Sequence, residues 1–180
     1  TVPVMGRHAV VDAMLALAIA DLLGVSPKDA AQGLASTEAN PLRGEVQRIG
    51  MLTLIVDCYN ANPQSMRAAL DVLEGQGPAA RRVAVLGTML ELGDVSERLH
   101  REVLGDALDR SFDLVVATGA FQEAARLMGA TRGTEVIMAP DWKVAYPELR
   151  ERLNGDEIVL LKASRGVALE GIIPLLTQDF

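Results

Sequence analysis

Three short aliphatic runs constrain this chain most: VAVL at 83–86, DLVVAT at 113–118 and EIVLLK at 157–162. Polar residues sit only at their ends, so a strand built from any of them must be buried on both faces, as inner strands of a parallel sheet are. Each run is followed by a turn and then by apolar residues at helical spacing. The pattern predicts strand 83–86 before a helix near 96–108, and strand 114–118 before a helix over 121–128. Strand 135–138 then precedes helix 142–153, and strand 158–162 precedes helix 167–176. Upstream, β-like runs at 45–49 and 52–56 flank Gly50 and read as a hairpin, followed by helix 63–73. Repeated strand–helix units of this length specify an α/β fold: a Rossmann-like, open, mostly parallel sheet spanning residues 40–180.

Residues 1–39 follow another pattern. A β-like run at 1–5 leads to a helix over 9–23 that stops at Gly24, and Ser26-Pro27 starts a second helix running to 34. Two helices alone cannot bury their apolar faces, so this segment reads as a helical tail that needs a cover. Asn40-Pro41 is the expected boundary between it and the α/β domain.

Composition removes several classes of function. A net charge of −7 and 3% aromatic residues argue against a nucleic-acid surface or a stacking platform for single strands. No apolar run reaches the roughly 20 residues of a membrane span. The lone cysteine, Cys58, excludes an internal disulfide and suits a reducing cytoplasm, and two histidines with one cysteine make no Cys/His metal cluster.

In an open α/β sheet the loops at the C-terminal strand ends form the ligand crevice. Here they are Asp57–Asn62, Gly87–Gly93, Thr118-Gly119 and Lys162–Gly166. Asn62 stands at a helix N-cap with Pro63 at the first helical position, and free N–H groups there favour anions. The same Asn-rich turn serves equally as a structural hinge. Lys162 and Arg165 suit a carboxylate or phosphate, or else form a solvated cap cluster. Thr88 and Glu91 are weaker candidates. His100, inside a charged run, reads as a surface or helix-face residue. Arg7 and His8 fit either a helix cap or a nucleotide contact, and Cys58 lacks a neighbouring histidine base. The chain carries neither G-x-x-x-x-G-K-[ST] nor G-x-G-x-x-G, so it has no phosphate cradle of its own.

Together these segments resemble the C-terminal part of the Mur ligases. The family's G-x-H-N-x-x-N-A-L-A-A helix is matched by Gly6 through Ala16, its D-D-S-Y-N-A-N-P-x-S-M motif by Val56 through Met66, and its V-L-G-x-M-x-E-L-G motif by Val85 through Gly93. His100 matches the histidine downstream, and K-G-S-R-G is matched by Lys162 through Gly166. The resemblance covers the whole chain. YNANP with LGTMLELG is specific to the branch that joins D-alanyl-D-alanine to a UDP-N-acetylmuramoyl tripeptide.

That resemblance implies a peptidoglycan-precursor ligase of the cytoplasm, monomeric, with three domains. One would hold the UDP-precursor, a central one ATP, and residues 40–180 would form the third. Residues 1–39 would be the tail of the central domain. ATP with Mg2+, held mainly upstream, would turn the precursor's carboxylate into an acyl phosphate that the dipeptide's amine attacks. By the same resemblance Arg43 and Asp57 meet the nucleotide, with Tyr59 and Asn62 shaping the turn, and His8 and Asp12 border the adenine. Thr88, Lys162, Ser164 and Arg165 line the dipeptide pocket. No residue is assigned as a catalyst, and the segment alone is expected to be inactive. The sequence departs from the family at Ala9 and Asp12 (asparagines), Val56 and Thr88 (aspartates) and Ala163 (glycine), which fits a divergent ligase or a relaxed paralogue. A non-catalytic nucleotide- or precursor-binding domain, or a sibling ligase adding a single amino acid, stays open beside this reading.

Overall fold

A computed structural model describes residues 7–37, 41–76, 81–129 and 133–180, apart from the side chains of Arg7, His8 and Ala9. The predicted run at 1–5, Asn40 of the predicted boundary and the end of the 75–80 loop lie outside the described residues.

Two helices come first, α1 (Arg7–Leu22) and α2 (Pro27–Ala35). Gly24, at φ 75, closes α1 by sending the Val25 N–H to Ala20 O and its own N–H to Asp21 O. Ser26 caps α2 by accepting from Asp29 N–H. The apolar side chains of α1, among them Val10, Met14, Ile19 and Leu22, are exposed. Among the described residues, nothing covers these side chains.

The sheet follows: β1 (Glu45–Ile49), β2 (Leu52–Asp57), α3 (Pro63–Glu74), β3 (Arg82–Leu86), α4 (Ser96–Leu108), β4 (Leu114–Thr118), α5 (Ala120–Met128), β5 (Glu135–Ala139), α6 (Trp142–Arg152), β6 (Ile158–Lys162) and α7 (Ile173–Asp179). Strand order is β1-β2-β6-β3-β4-β5, with β1 antiparallel to β2 and every other pair parallel. The aliphatic runs behave as their composition requires. β4 is buried along its whole length, as are the last four residues of β3 and of β6. One core lies between the sheet and α3, α4 and α5, through Met66, Leu70, Leu104 and Phe121; the other lies under α6 and α7, through Leu149, Ile172 and Leu176. This is the predicted Rossmann-like α/β sheet.

One element differs. The predicted helix over 167–176 is two short 3-10 turns, Arg165–Val167 and Leu169–Ile172, ahead of α7. Ala168 between them takes left-handed backbone at φ 52. Gly171 then passes so close to Trp142 that an added Cβ would lie 2.6 Å from Cζ2 of the indole. Helical spacing cannot separate one helix from two turns that bury the same residues, here Leu169, Ile172 and Leu176.

Candidate functional site

The chain order β2, β3, β4, β5 and then β6, inserted between β2 and β3, makes the sheet reverse direction at β6. Such a switch point is where open α/β sheets form a crevice. Parallel register sets Asp57, Lys162 and Leu86 in one row at the C-terminal ends. Alternation decides where they point. Leu160 packs under α3 to α5, whereas Val159 and Leu161 pack under α6 and α7, so Lys162 shares the side of Leu160. Ile55 and Val56 divide in the same way, which sends Asp57 to that side too. The two meet: Lys162 Nζ lies 2.9 Å from Asp57 Oδ2 and donates to the Asn60 carbonyl. The lysine side chain is 1% exposed and the aspartate 24%.

Ser164, buried, joins three loops. Its N–H donates to the Thr88 carbonyl at 3.2 Å, its Oγ accepts from Leu90 N–H at 3.0 Å, and its hydroxyl donates to the Ala61 carbonyl at 3.5 Å. Thr88 Oγ1 accepts from Ala120 N–H at 3.0 Å. It caps α5 from outside, because the N-cap residue Gly119 has no side chain of its own. An added Cβ at Gly119 would collide with that hydroxyl. Asn62 caps α3 as the sequence predicts, with Oδ1 accepting from Ser65 N–H at 2.8 Å and Ser65 Oγ accepting from Asn62 N–H at 3.0 Å.

His100 is a helix residue of α4, one of the two positions expected for it, but it is buried, which corrects the surface alternative. Its ring stands edge-on to Phe121, 4.7 Å between centroids. Nδ1 lies 2.7 Å from Ser96 O, and Nε2 accepts from Met89 N–H at 2.9 Å. Only the neutral ring with its proton on Nδ1 satisfies both partners. Burial holds its pKa below the ordinary value, against the opposing pull of the Ser96 carbonyl. The ring thus anchors the Gly87–Gly93 loop to α4.

Other polar groups remain accessible. The Arg43 guanidinium stacks over Tyr59, 4.0 Å from the ring centre, and Tyr59 is 48% exposed. Tyr59 N–H donates to Leu42 O at 3.1 Å, so the segment before β1 seats on the β2–α3 turn. The Arg165 side chain is 60% exposed and pairs with Glu170 at 3.0 Å, while Glu170 Oε2 is buried without a partner. Left-handed backbone outside glycine occurs, among the described residues, at Leu42, Glu91 and Ala168. All three lie in segments that build this crevice, and such strain concentrates at functional sites.

The structure therefore brings Asp57, Tyr59 and Asn62 together on one turn, with Arg43 stacked on it from the segment before β1, and Thr88, Lys162, Ser164 and Arg165 across the neighbouring loops. Asp12 is exposed on α1, and the side chain of His8 lies outside the described residues. Sequence reasoning missed Glu170, which no motif flags, and the anchoring role of His100. Cys58 Sγ donates to Leu161 O at 3.4 Å. Burial foremost, then the Glu170 and Asp57 carboxylates, pushes its thiol up to about 12, so it stays protonated at neutral pH and is no nucleophile.

A doubly wound sheet with polar loops gathered at its switch point defines a Rossmann-like ligand-binding domain. The family described as "Mur ligase, glutamate ligase domain" matches residues 43–165, and the chain belongs to the Mur ligases. It is 34% identical over 190 residues to the UDP-N-acetylmuramoyl-tripeptide–D-alanyl-D-alanine ligase of Bacillus subtilis, covering 99% of this chain and 40% of the relative. The enzyme of the same name from Mycobacterium tuberculosis is 36% identical over 200 residues, covering 98% and 39%. A crystal structure of MurF from Acinetobacter baumannii superposes with a TM-score of 0.87 at 33% identity, covering 98% of this chain and 39% of that one. MurF from Thermotoga maritima, solved in complex with ADP, gives 0.70 at 27% identity, covering 91% and 36%. The chain spans about two fifths of the length of the curated relatives it matches.

Proposed function

We propose that this chain is the C-terminal part of an ATP-dependent ligase that adds D-alanyl-D-alanine to a UDP-N-acetylmuramoyl tripeptide in the cytoplasm, supplying one wall of the site. The arrangement around the switch point carries this reading, with Tyr59 and Asp57 on one turn, Arg43 stacked over Tyr59, and Arg165 on the neighbouring loop. A guanidinium stacked on Tyr59, near a carboxylate that is about a quarter exposed, suits a nucleotide's ribose and phosphates. Arg165, with its planar fork in solvent, suits the dipeptide's carboxylate. Residues 1–39 are assigned to the central domain, whose remainder would cover the exposed apolar side chains of α1. A relative crystallised in complex with ADP supports an adenine nucleotide as a ligand of the whole enzyme.

ATP supplies the phosphoryl group that activates the precursor's carboxylate. This chain's part is to orient the nucleotide and the incoming amine and to exclude water when domains close, which protects an acyl phosphate. Mg2+ is proposed to be held upstream, and no residue of this chain is assigned to it. Among the described residues no helix is long and apolar enough to cross a membrane.

The test is ADP release by the product of the whole gene, supplied with UDP-linked muramoyl tripeptide and either D-Ala-D-Ala or single amino acids. Release only with the dipeptide is expected. Release with a single amino acid would move the protein to a sibling ligase, and none with either would leave a binding domain.

A further inference from the structure

Family motifs place Lys162 and Arg165 in the same loop, but the fold treats them differently. Lys162 is 1% exposed and its ammonium is engaged by Asp57 and the Asn60 carbonyl. A ligand carboxylate could reach it only by displacing Asp57, leaving a carboxylate to be desolvated without its partner. Arg165 lies open to solvent and holds only Glu170. Within this loop, the ammonium that looks like an anion receptor is buried and held by two partners, whereas the guanidinium is open to solvent with Glu170 as its ion-pair partner.

We infer that Lys162 is a positioning residue: it fixes the Asp57 carboxylate and the Asp57–Asn62 turn in the orientation that meets the nucleotide, and makes no contact with the dipeptide. The geometry carries the claim. β2 and β6 are in register at Asp57 and Lys162, both side chains point under α3, and one ammonium bonds the first residue of the turn and the carbonyl of Asn60 within it. Holding Asp57 Oδ2 from behind leaves the rest of that carboxylate for solvent or ligand. Lys162 also reaches the nucleotide turn from the strand that carries Arg165 at its end. It thus ties the nucleotide half of the crevice to the dipeptide half. The inference rests on the proposed nucleotide contact of Asp57.

The experiment is a double-mutant cycle in the product of the whole gene, with Asp57→Asn, Lys162→Met and the two combined. KM for ATP and KM for D-Ala-D-Ala are measured separately. Lys162→Met is expected to raise the ATP KM about tenfold while the dipeptide KM stays within about twofold, and the double variant should be no worse than Asp57→Asn alone. Lys162→Arg, which keeps the charge, should recover part of the loss. A rise in dipeptide KM with ATP KM unchanged, or effects that multiply in the double variant, would overturn the inference. Should Lys162→Met fail to fold, the double variant, which buries no lone charge, carries the comparison against Asp57→Asn. An Asp57→Asn enzyme with an unaltered ATP KM would instead overturn the nucleotide reading itself, so the two failures are told apart.

Discussion

The root and the tip of the loop after β6 follow opposite rules, although the sequence presents both as one polar motif. At the root, Lys162 and Ser164 are 1% and 4% exposed, and their polar atoms are consumed by the neighbouring loops. At the tip, Arg165 is 60% exposed and shares its charge with one carboxylate. Buried polar groups must be satisfied internally, so a crevice of this kind needs residues that hold its walls as well as residues that meet ligands. Substitutions at the root should therefore act on stability and loop position, and substitutions at the tip on binding.

The sharpest test of that division is Arg165→Ala. Losing a charge-assisted, two-pronged contact should raise the dipeptide KM about a hundredfold, while the thermal midpoint should fall only slightly, because the Arg165 end of its pair with Glu170 is in solvent. A large fall in midpoint would erase the distinction between root and tip. Ser164→Ala is the converse. It leaves Leu90 N–H without an acceptor and should cost about 1–2 kcal/mol in urea unfolding, with a smaller change in either KM. The mildest effect concerns His100, which belongs with the root. Its folded pKa lies below the ordinary 6.5, so the neutral ring is the folded form. Stability should be full above about pH 6.5 and should decline as pH falls toward the folded pKa, because the unfolded chain takes up the proton first. His100→Gln should flatten that slope in a pH series of melts, and a slope that persists would assign it to other groups.

Much of this was legible beforehand, for physical reasons. VAVL, DLVVAT and EIVLLK have nowhere to go but a sheet covered on both sides, and Asn62-Pro63 announces a helix start through its cap and fixed φ. Motif matching located Asp57, Thr88, Lys162, Ser164 and Arg165 on one edge, and the structure puts them there. Sequence could not say which of them are free. That depends on register, since Asp57 meets Lys162 only because β6 inserts beside β2. It depends also on local hydrogen bonding: the half-buried Thr88, a pocket candidate, already accepts from Ala120 N–H and caps α5. The Ala168 bend was hidden because its apolar spacing is that of a helix, and Glu170 was hidden because nothing but proximity links it to Arg165.

In this crevice the exposed side chains are expected to meet the ligands while the buried ones hold the loops. A crystal structure of the product of the whole gene with a non-hydrolysable ATP analogue and D-Ala-D-Ala tests it directly. The nucleotide is expected against Arg43, Tyr59 and Asp57, the dipeptide carboxylate on Arg165, and Lys162 still bonded to Asp57. A dipeptide carboxylate on Lys162, with Asp57 released, would contradict it.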